Sequence, residues 1–367
     1  MRPMKSLRII LALFSAAPLA ALLTQLGAQT PQQGTPPPAQ QQTTSAPPLQ
    51  SSQGKIIFSV NEVVVPVTVK DRSGSLVADL RRDEFRIFED NVEQKIAHFA
   101  ADPAPISMVL LVDNDLKSKD AKQVTDSLRA VVAGLSLNDE AFVCRFDQFF
   151  HEGKGFISDP DKLLTELQRT RLDDQPTVAR SSPAIGNGPS INGHSATSDA
   201  PNITGGLMNI KGQPTKALDD AVYSAAQLLK DRDPERQRRK IIFLISDGVN
   251  GPKSNTYNYD TVLKELLRYN IGVYGVGVGS AYFERRFERL SKYAHDTGGD
   301  VYYGMKSRAM EELYSRVTEE ARNQYTLAYA PSGTDRGAEY HSIEVRVKRE
   351  GLTILAREGY FAGAAPR

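Results

Sequence analysis

Residues Ile106 to Ser118 read Ile-Ser-Met-Val-Leu-Leu-Val-Asp-Asn-Asp-Leu-Lys-Ser. A mostly apolar run ends abruptly in acids and a lysine. A short continuous apolar run bounded by polar residues is the pattern of a strand buried on both faces. The stretch that follows, Asp120 to Leu135, has Val124, Leu128, Val131, Val132 and Leu135 at spacings of three and four, the mark of an amphipathic helix. The acids therefore sit where a central parallel strand hands over to a helix. In open α/β sheets the rim beyond the carboxyl ends of the strands is where ligands bind.

Working outward toward the C-terminus, strand and helix patterns alternate. Ala141–Phe146 predicts a strand and Pro160–Thr170 a helix. Order resumes at Thr215 with a helix to Lys230, carrying Leu218, Val222, Ala225, Ala226 and Leu229 on one face. Lys240–Ser246 is the most apolar strand and ends in Ser246-Asp247-Gly248. Tyr259–Tyr269, Phe283–His295 and Ser307–Arg322 predict helices, and Gly272–Val278 and Asp300–Tyr303 strands. This alternation implies a doubly wound parallel sheet with right-handed crossovers over residues 104–322. Residues 175–213 interrupt it. They are crowded with Ser, Gly, Asn and Pro and show little period, which predicts a disordered insertion.

The flanks read differently. Residues 1–28 have a basic start at Arg2, Lys5 and Arg8, an apolar stretch and small residues before a polar change, the order of a secretory signal. Its cleavage would leave no membrane span and an exported chain, periplasmic or extracellular. Residues 29–54 are rich in Gln, Pro, Thr and Ser and read as a flexible linker. In residues 55–103, Val63, Val65, Val67 and Val69 alternate before the turn Asp71-Arg72-Ser73-Gly74, and Phe85, Ile87 and Lys95–Phe99 predict further strands. Such a unit is marginal alone. Residues 323–367 alternate likewise at Ile343, Val345 and Val347. We expect the two ends to build one β-sandwich into which the α/β domain is inserted.

Composition removes some functions. The chain has 367 residues with 45 basic and 44 acidic side chains, so it lacks the basic excess of a nucleic-acid binder. Its one cysteine, Cys144, lies in an apolar run and reads as a small buried hydrophobe. The basic run Arg232–Lys240 reads as a solvated loop. Gly275-x-Gly277-x-Gly279 lacks dinucleotide-binding spacing and reads as turn and packing glycines. The five histidines show no zinc spacing, and no Gly-x-Ser-x-Gly elbow announces a hydrolase.

Three segments converge on the rim: Asp113 and Asp115 after the first strand, Thr215 before a helix, and Asp247 after the strong strand. Together with Val109-Leu110-Leu111-Val112-Asp113, Phe243-Leu244-Ile245-Ser246-Asp247-Gly248 and Val273-Tyr274-Gly275-Val276-Gly277-Val278-Gly279, this resembles the von Willebrand factor A domain, with its Rossmann-like sheet. The flanking segments Val67–Gly74, Asp83–Asp90, Ile343–Lys348 and Ala356–Tyr360 are similar to exported acidobacterial proteins related to that domain. The resemblance implies a metal-ion-dependent adhesion site of the Asp-x-Ser-x-Ser type with a loop Thr and a loop Asp. Asp113, Thr215 and Asp247 match it, whereas Asp115 and Lys117 stand where the pattern has serines. The metal candidates implied are Asp113, Asp115, Thr215 and Asp247. Either a divalent ion, Mg²⁺ or Ca²⁺, or the Lys117 ammonium is expected to neutralise the acids. The function implied is a non-enzymatic module holding a protein partner at this rim. The alternative is a structural scaffold with a vestigial site. A hydrolase using the acids is least favoured, because no positioned nucleophile and base are evident.

Overall fold

The computed structural model describes residues 62–169, 190–191, 194–195, 216–232, 238–251, 253–279, 288–304, 307–331 and 340–362. The expected signal (1–28) and linker (29–54) lie outside these residues. So does the expected insertion (175–213), apart from two short paired strands.

In chain order, β1 (Val63–Lys70), β2 (Phe85–Glu89), β3 (Val92–Gln94) and β4 (Ile96–Ala100) come first. The α/β part follows with β5 (Ile106–Asp113), α1 (Ser118–Ser127), α2 (Arg129–Gly134), β6 (Glu140–Phe146), β7 (Phe150–His151) and α3 (Pro160–Arg169). After the pair β8 (Ser190–Ile191) and β9 (His194–Ser195) come α4 (Leu218–Lys230), β10 (Arg239–Ser246) and α5 (Tyr259–Arg268). Then follow β11 (Ile271–Val278), α6 (Glu288–Thr297), β12 (Val301–Gly304) and α7 (Ser307–Arg322). The chain closes with β13 (Tyr325–Tyr329), β14 (Tyr340–Val347), β15 (Thr353–Ala356) and β16 (Gly359–Phe361).

The central sheet runs β12-β11-β10-β5-β6-β7, parallel throughout except for β7, which returns antiparallel on β6. All eight residues of β5 are buried. Its side chains alternate between two cores, as a strand's period of two demands. Met108, Leu110 and Val112 face Val124, Leu128, Val131, Leu163, Tyr314 and Val317 of α1, α2, α3 and α7. Val109 and Leu111 face Leu218, Val222, Val262, Leu266, Leu290 and Tyr293 of α4, α5 and α6. Cys144 is buried in that second core, and burial pushes its thiol up to about 12, far from a reactive thiolate.

The helix expected over Asp120–Leu135 is two helices, divided at Leu128. Just before the division, Ser127 Oγ donates back to the carbonyls of Gln123 and Val124, at 2.8 and 2.9 Å. Such back-bonding competes with the helical ladder and bends helices. The apolar spacing survives the bend, so both halves still face the core.

The chain's two ends form the sandwich. One sheet runs β15-β1-β13-β4 and the other β16-β14-β2-β3. β1 is enclosed by strands from the far end of the chain, with Val65 opposite Leu327 and Val69 opposite Ile354. Val63, Val65, Val67 and Val69 pack with Phe85, Ile87, Tyr325, Leu327, Ile343 and Val345 between the sheets.

Charged side chains join sandwich and α/β domain. Lys70 of β1 reaches Asp300 Oδ2 at 2.6 Å, Glu320 Oε2 at 2.8 Å and the Tyr302 hydroxyl at 2.8 Å. Arg239 corrects the reading of residues 232–240 as a solvated loop. It is 8% exposed and donates to the Gln324 carbonyl and, at 3.2 Å, to Thr326 Oγ1 of β13. Arg232 likewise holds Glu140 of β6, at 2.7 Å. Among the described residues of the run, Arg232, Arg238 and Arg239 each end on a polar partner.

Candidate functional site

The carboxyl ends of β5, β6 and β10 lie side by side, because Val112 is in register with Ile245 and Asp113 with Phe146. That register alone brings Asp113, Asp147 and Asp247 to one rim. Asp113 is fully buried. Its Oδ1 accepts the Asp115 N–H at 2.9 Å, and its Oδ2 accepts Ser246 Oγ–H at 2.7 Å.

The third partner of Asp113 is a lysine that the sequence did not single out. Lys216 Nζ donates to Asp113 Oδ2 and to Asp247 Oδ1, both at 2.9 Å. Two backbone bonds place this loop residue: Ala217 N–H to the Asp147 carbonyl at 2.9 Å, and Gly251 N–H to the Lys216 carbonyl at 2.8 Å. They tie the loop before α4 to both neighbouring strand ends, so the side chain must enter the gap between β5 and β10. Lys117, expected to supply the ammonium, is exposed at the N-cap of α1. The buried ammonium on Asp113 is that of Lys216 instead. Thr215 lies outside the described residues.

Burial and charge set the protonation of the cluster. Burial pushes Asp113 up to about 6; Lys216 opposes that shift and Asp247 adds to it. Burial disfavours the Lys216 cation, yet Asp113 and Asp247 together hold its pKa above the ordinary lysine value. Asp115 is also raised, by partial burial first, with Lys216 opposing and the Asp247 and Asp147 carboxylates adding to it. Asp147 is held below the ordinary range. Burial opposes this, but hydrogen bonds from Phe149 N–H, Asn114 and His151 outweigh it.

A divalent ion at the place implied by the resemblance does not fit this donor set. The two carboxylates it would share already accept an ammonium 2.9 Å from each. Asp247 Oδ1 also accepts the Val249 N–H at 3.0 Å. The two hydroxyl ligands of the pattern are replaced at positions 115 and 117 by a carboxylate and a lysine. An ammonium bonded to both acids and a dication between them exclude one another by space and by charge.

Among the described residues, the hydroxyl bonded to the acids is closed to a substrate. Ser246 Oγ lies 2.7 Å from Asp113, yet it is fully buried, so no substrate atom reaches it. Its second contact is the Gly248 N–H at 3.1 Å, which locks the turn. Among the described residues the rim offers outward Asp115, Lys117 and Phe149 at the β6–β7 tip, with other exposed residues of the same loops. Gly279 closes the far side. With φ +74° it sits so near Asp120 that an added Cβ would lie 2.5 Å from Asp120 Oδ2, which bears out the reading of this glycine as a packing position.

Two of the scattered histidines meet acids in space. His341 and His295 lie within ligand distance of Glu89 and Asp90, and of Asp296 and Glu358, respectively. His341 Nδ1 is hydrogen-bonded to Asp90 Oδ2 at 2.7 Å, a contact that closes a turn of the sandwich.

Residues 191–316 match the von Willebrand factor type A domain profile. The match begins after β5 and so omits Asp113. No curated protein matches the chain. Among solved structures, the chain is similar to a von Willebrand factor type A protein from Catenulispora acidiphila, at 10% identity and TM-score 0.41, covering 83% of this chain and 75% of that one. It is similar to the manganese-loaded TRAP protein of Plasmodium vivax, at 13% identity and TM-score 0.41, covering 74% and 97%. The conserved hypothetical protein BatB of Bacteroides thetaiotaomicron matches at 12% identity and TM-score 0.40, covering 59% and 98%.

Proposed function

From the von Willebrand factor type A domain that this chain carries, a type of module that commonly mediates protein–protein interaction, we propose a non-enzymatic docking protein that holds a protein partner at the carboxyl rim of its sheet. The observation that carries the reading is the Lys216 ammonium bonded to both Asp113 and Asp247. In the metal-dependent form of such a site, a bound dication makes the bridge to the partner. Here an internal cation has taken that place, so the rim is assembled without Mg²⁺ or Ca²⁺ and the partner contacts side chains directly. Asp115 and Phe149 are exposed groups of the loops that carry the cluster, and both are open to such a contact.

The protein is read as exported, periplasmic or extracellular, on the basic-apolar-small order of residues 1–28. Among the described residues no helix is long and apolar enough to cross a membrane. An intact-mass measurement on protein from its native envelope checks this. Loss of about 28 residues is expected, and a soluble chain retaining them contradicts it.

Docking itself is tested by affinity capture from envelope extract with four baits: the parent, Asp115→Ala, Phe149→Ala and Leu137→Ala. Leu137 is 87% exposed, but it precedes β6 and so lies at the opposite end of the sheet. A partner that follows the parent and Leu137→Ala but is depleted from both rim variants supports the reading. Equal capture by all four would show that the rim is not the docking face and leave a scaffold role.

A further inference from the structure

At the end of the sheet away from the rim, α6 finishes against the sandwich. Thr297, the last residue of α6, accepts the Val273 N–H near the start of β11, at 2.9 Å. The two residues before it, His295 and Asp296, meet Glu358 in the connection between β15 and β16. His295 Nδ1 lies 3.0 Å from Glu358 Oε1 and 3.6 Å from Asp296 Oδ1. One ligand atom from each of the three residues lies within 4.8 Å of the other two. A single ring N–H cannot be given in full to two carboxylates. An ion can satisfy all three groups together. Bonds of about 2.1 Å to one ion set neighbouring ligand atoms about 3.0 Å apart in octahedral geometry and about 3.4 Å apart in tetrahedral geometry. The two separations from Nδ1 are close to these edges.

The donors are held in place from outside the cluster. Tyr259, buried on α5, donates its hydroxyl to Asp296 Oδ2 at 2.7 Å and leaves Oδ1 to His295. The Glu358 N–H donates to the Asp296 carbonyl at 3.3 Å, and the Glu358 carbonyl accepts the Ile343 N–H at 2.7 Å. The backbone that carries this carboxylate is therefore fixed on both sides. Bonds of this kind, one step out from the donors, orient the ligands of metal sites. The Tyr340 phenol stands beside the same pair: burial first, then the Glu358 and Asp296 charges, push it up. The cations nearby are engaged elsewhere. Arg357 donates to the Leu267 carbonyl at 3.3 Å, and Arg289 and Lys292 lie over the Tyr259 ring, 5.1 and 4.1 Å from its centroid.

We propose that His295, Asp296 and Glu358 bind a divalent transition-metal ion, best matched by Zn²⁺, through one imidazole nitrogen and two carboxylate oxygens, with water in the remaining positions. The site stands apart from the rim and does not depend on the docking reading. Imidazole suits zinc and its neighbours, whereas Mg²⁺ and Ca²⁺ take oxygen ligands. Two of the ligands belong to α6 and the third to the sandwich, so the ion ties the two parts together. Any ligand of the folded state alone raises its stability.

The test is a Zn²⁺ titration of the untagged, metal-free mature chain, read by calorimetry and by thermal unfolding. The proteins are the parent, His295→Ala, Glu358→Gln, Tyr259→Phe and, as a control at the other histidine–acid contact, His341→Ala. The parent should take up one Zn²⁺, melt higher with it and retain it in excess Mg²⁺ or Ca²⁺. His295 and Glu358 are exposed, so their variants should fold and lose the ion. Tyr259→Phe keeps all three ligands and removes only the bond that orients Asp296. It should weaken binding about tenfold, a loss that an ion lodged loosely on the surface would not show. His341→Ala should bind as the parent does. A parent that takes up no Zn²⁺, or that gives it up to Mg²⁺ or Ca²⁺, overturns the site. So does undiminished binding by His295→Ala, Glu358→Gln or Tyr259→Phe.

Discussion

At the scale of single residues, the account turns on Lys216 and Asp113. Burying a carboxylate beside a second one is unfavourable unless a cation joins them, and here the cation comes from a loop more than a hundred residues away in sequence, |i−j| being 103. That distance explains what the sequence could not show. Asp113, Asp115 and Asp247 are legible as a rim cluster because each ends a strand or begins the turn after it. Lys216 differs from Lys117 only in the loop bonds at Ala217 and Gly251, and these belong to the fold. The pH behaviour follows from burial. Asp113 has its carboxyl raised in the fold, from 3.8 to about 6, so the folded chain holds its proton more tightly than the unfolded chain does. Its contribution to stability is fully present below about 4 and is lost as pH rises through about 6. Chemical denaturation of the parent and Asp113→Asn at a series of pH values measures this. The parent should lose stability relative to the variant between those limits, and parallel curves would refute the assignment.

At the scale of elements, the central sheet and its helices were readable because their apolar periods are long. The eight buried residues of β5 and the spacing of α4, α5 and α7 leave little choice of structure. β7 and β16, of two and three residues, are too short to carry a period and were not foreseen. The division between α1 and α2 at Leu128 was missed for another reason, since hydroxyl back-bonding from Ser127 leaves the hydrophobic spacing intact. The glycine run on β11 tests element packing. Gly279 combines a left-handed φ of +74° with close approach to Asp120. Gly279→Ala should therefore cost on the order of 1–2 kcal/mol, from the left-handed backbone alone. A urea midpoint reports it, and an unchanged midpoint would mean that Gly279 does not hold its left-handed backbone.

At the scale of the whole molecule, the α/β domain is a long insertion in a sandwich whose halves are distant in sequence. Alternation at Val63–Val69 and Ile343–Val347 made that partnership legible. The registers, with β1 between β13 and β15 and β2 between β14 and β3, were not, because either end alone can pair several ways. Removing residues 323–362 would strip β1 of both neighbours at once. The truncated chain should aggregate through that open strand and lose its cooperative thermal transition. A truncated chain that stays soluble and melts like the parent would mean that the ends fold independently. Lys70 and Arg239 tie the two parts together at the junction, since each is buried against partners from the other part. The measurement that tests the central claim most directly is thermal unfolding of the parent and Lys216→Ser, in chelator and in Mg²⁺ or Ca²⁺. A ligand that binds only the folded state raises stability by about 2.7 kcal/mol at a hundredfold excess over its Kd. The parent should be indifferent to metal, while Lys216→Ser should melt lower in chelator and recover when a dication takes the vacated place. A parent whose own transition rises with Mg²⁺ or Ca²⁺, and loses that response in Asp247→Ala, would contradict the internal-cation account whatever the variant does.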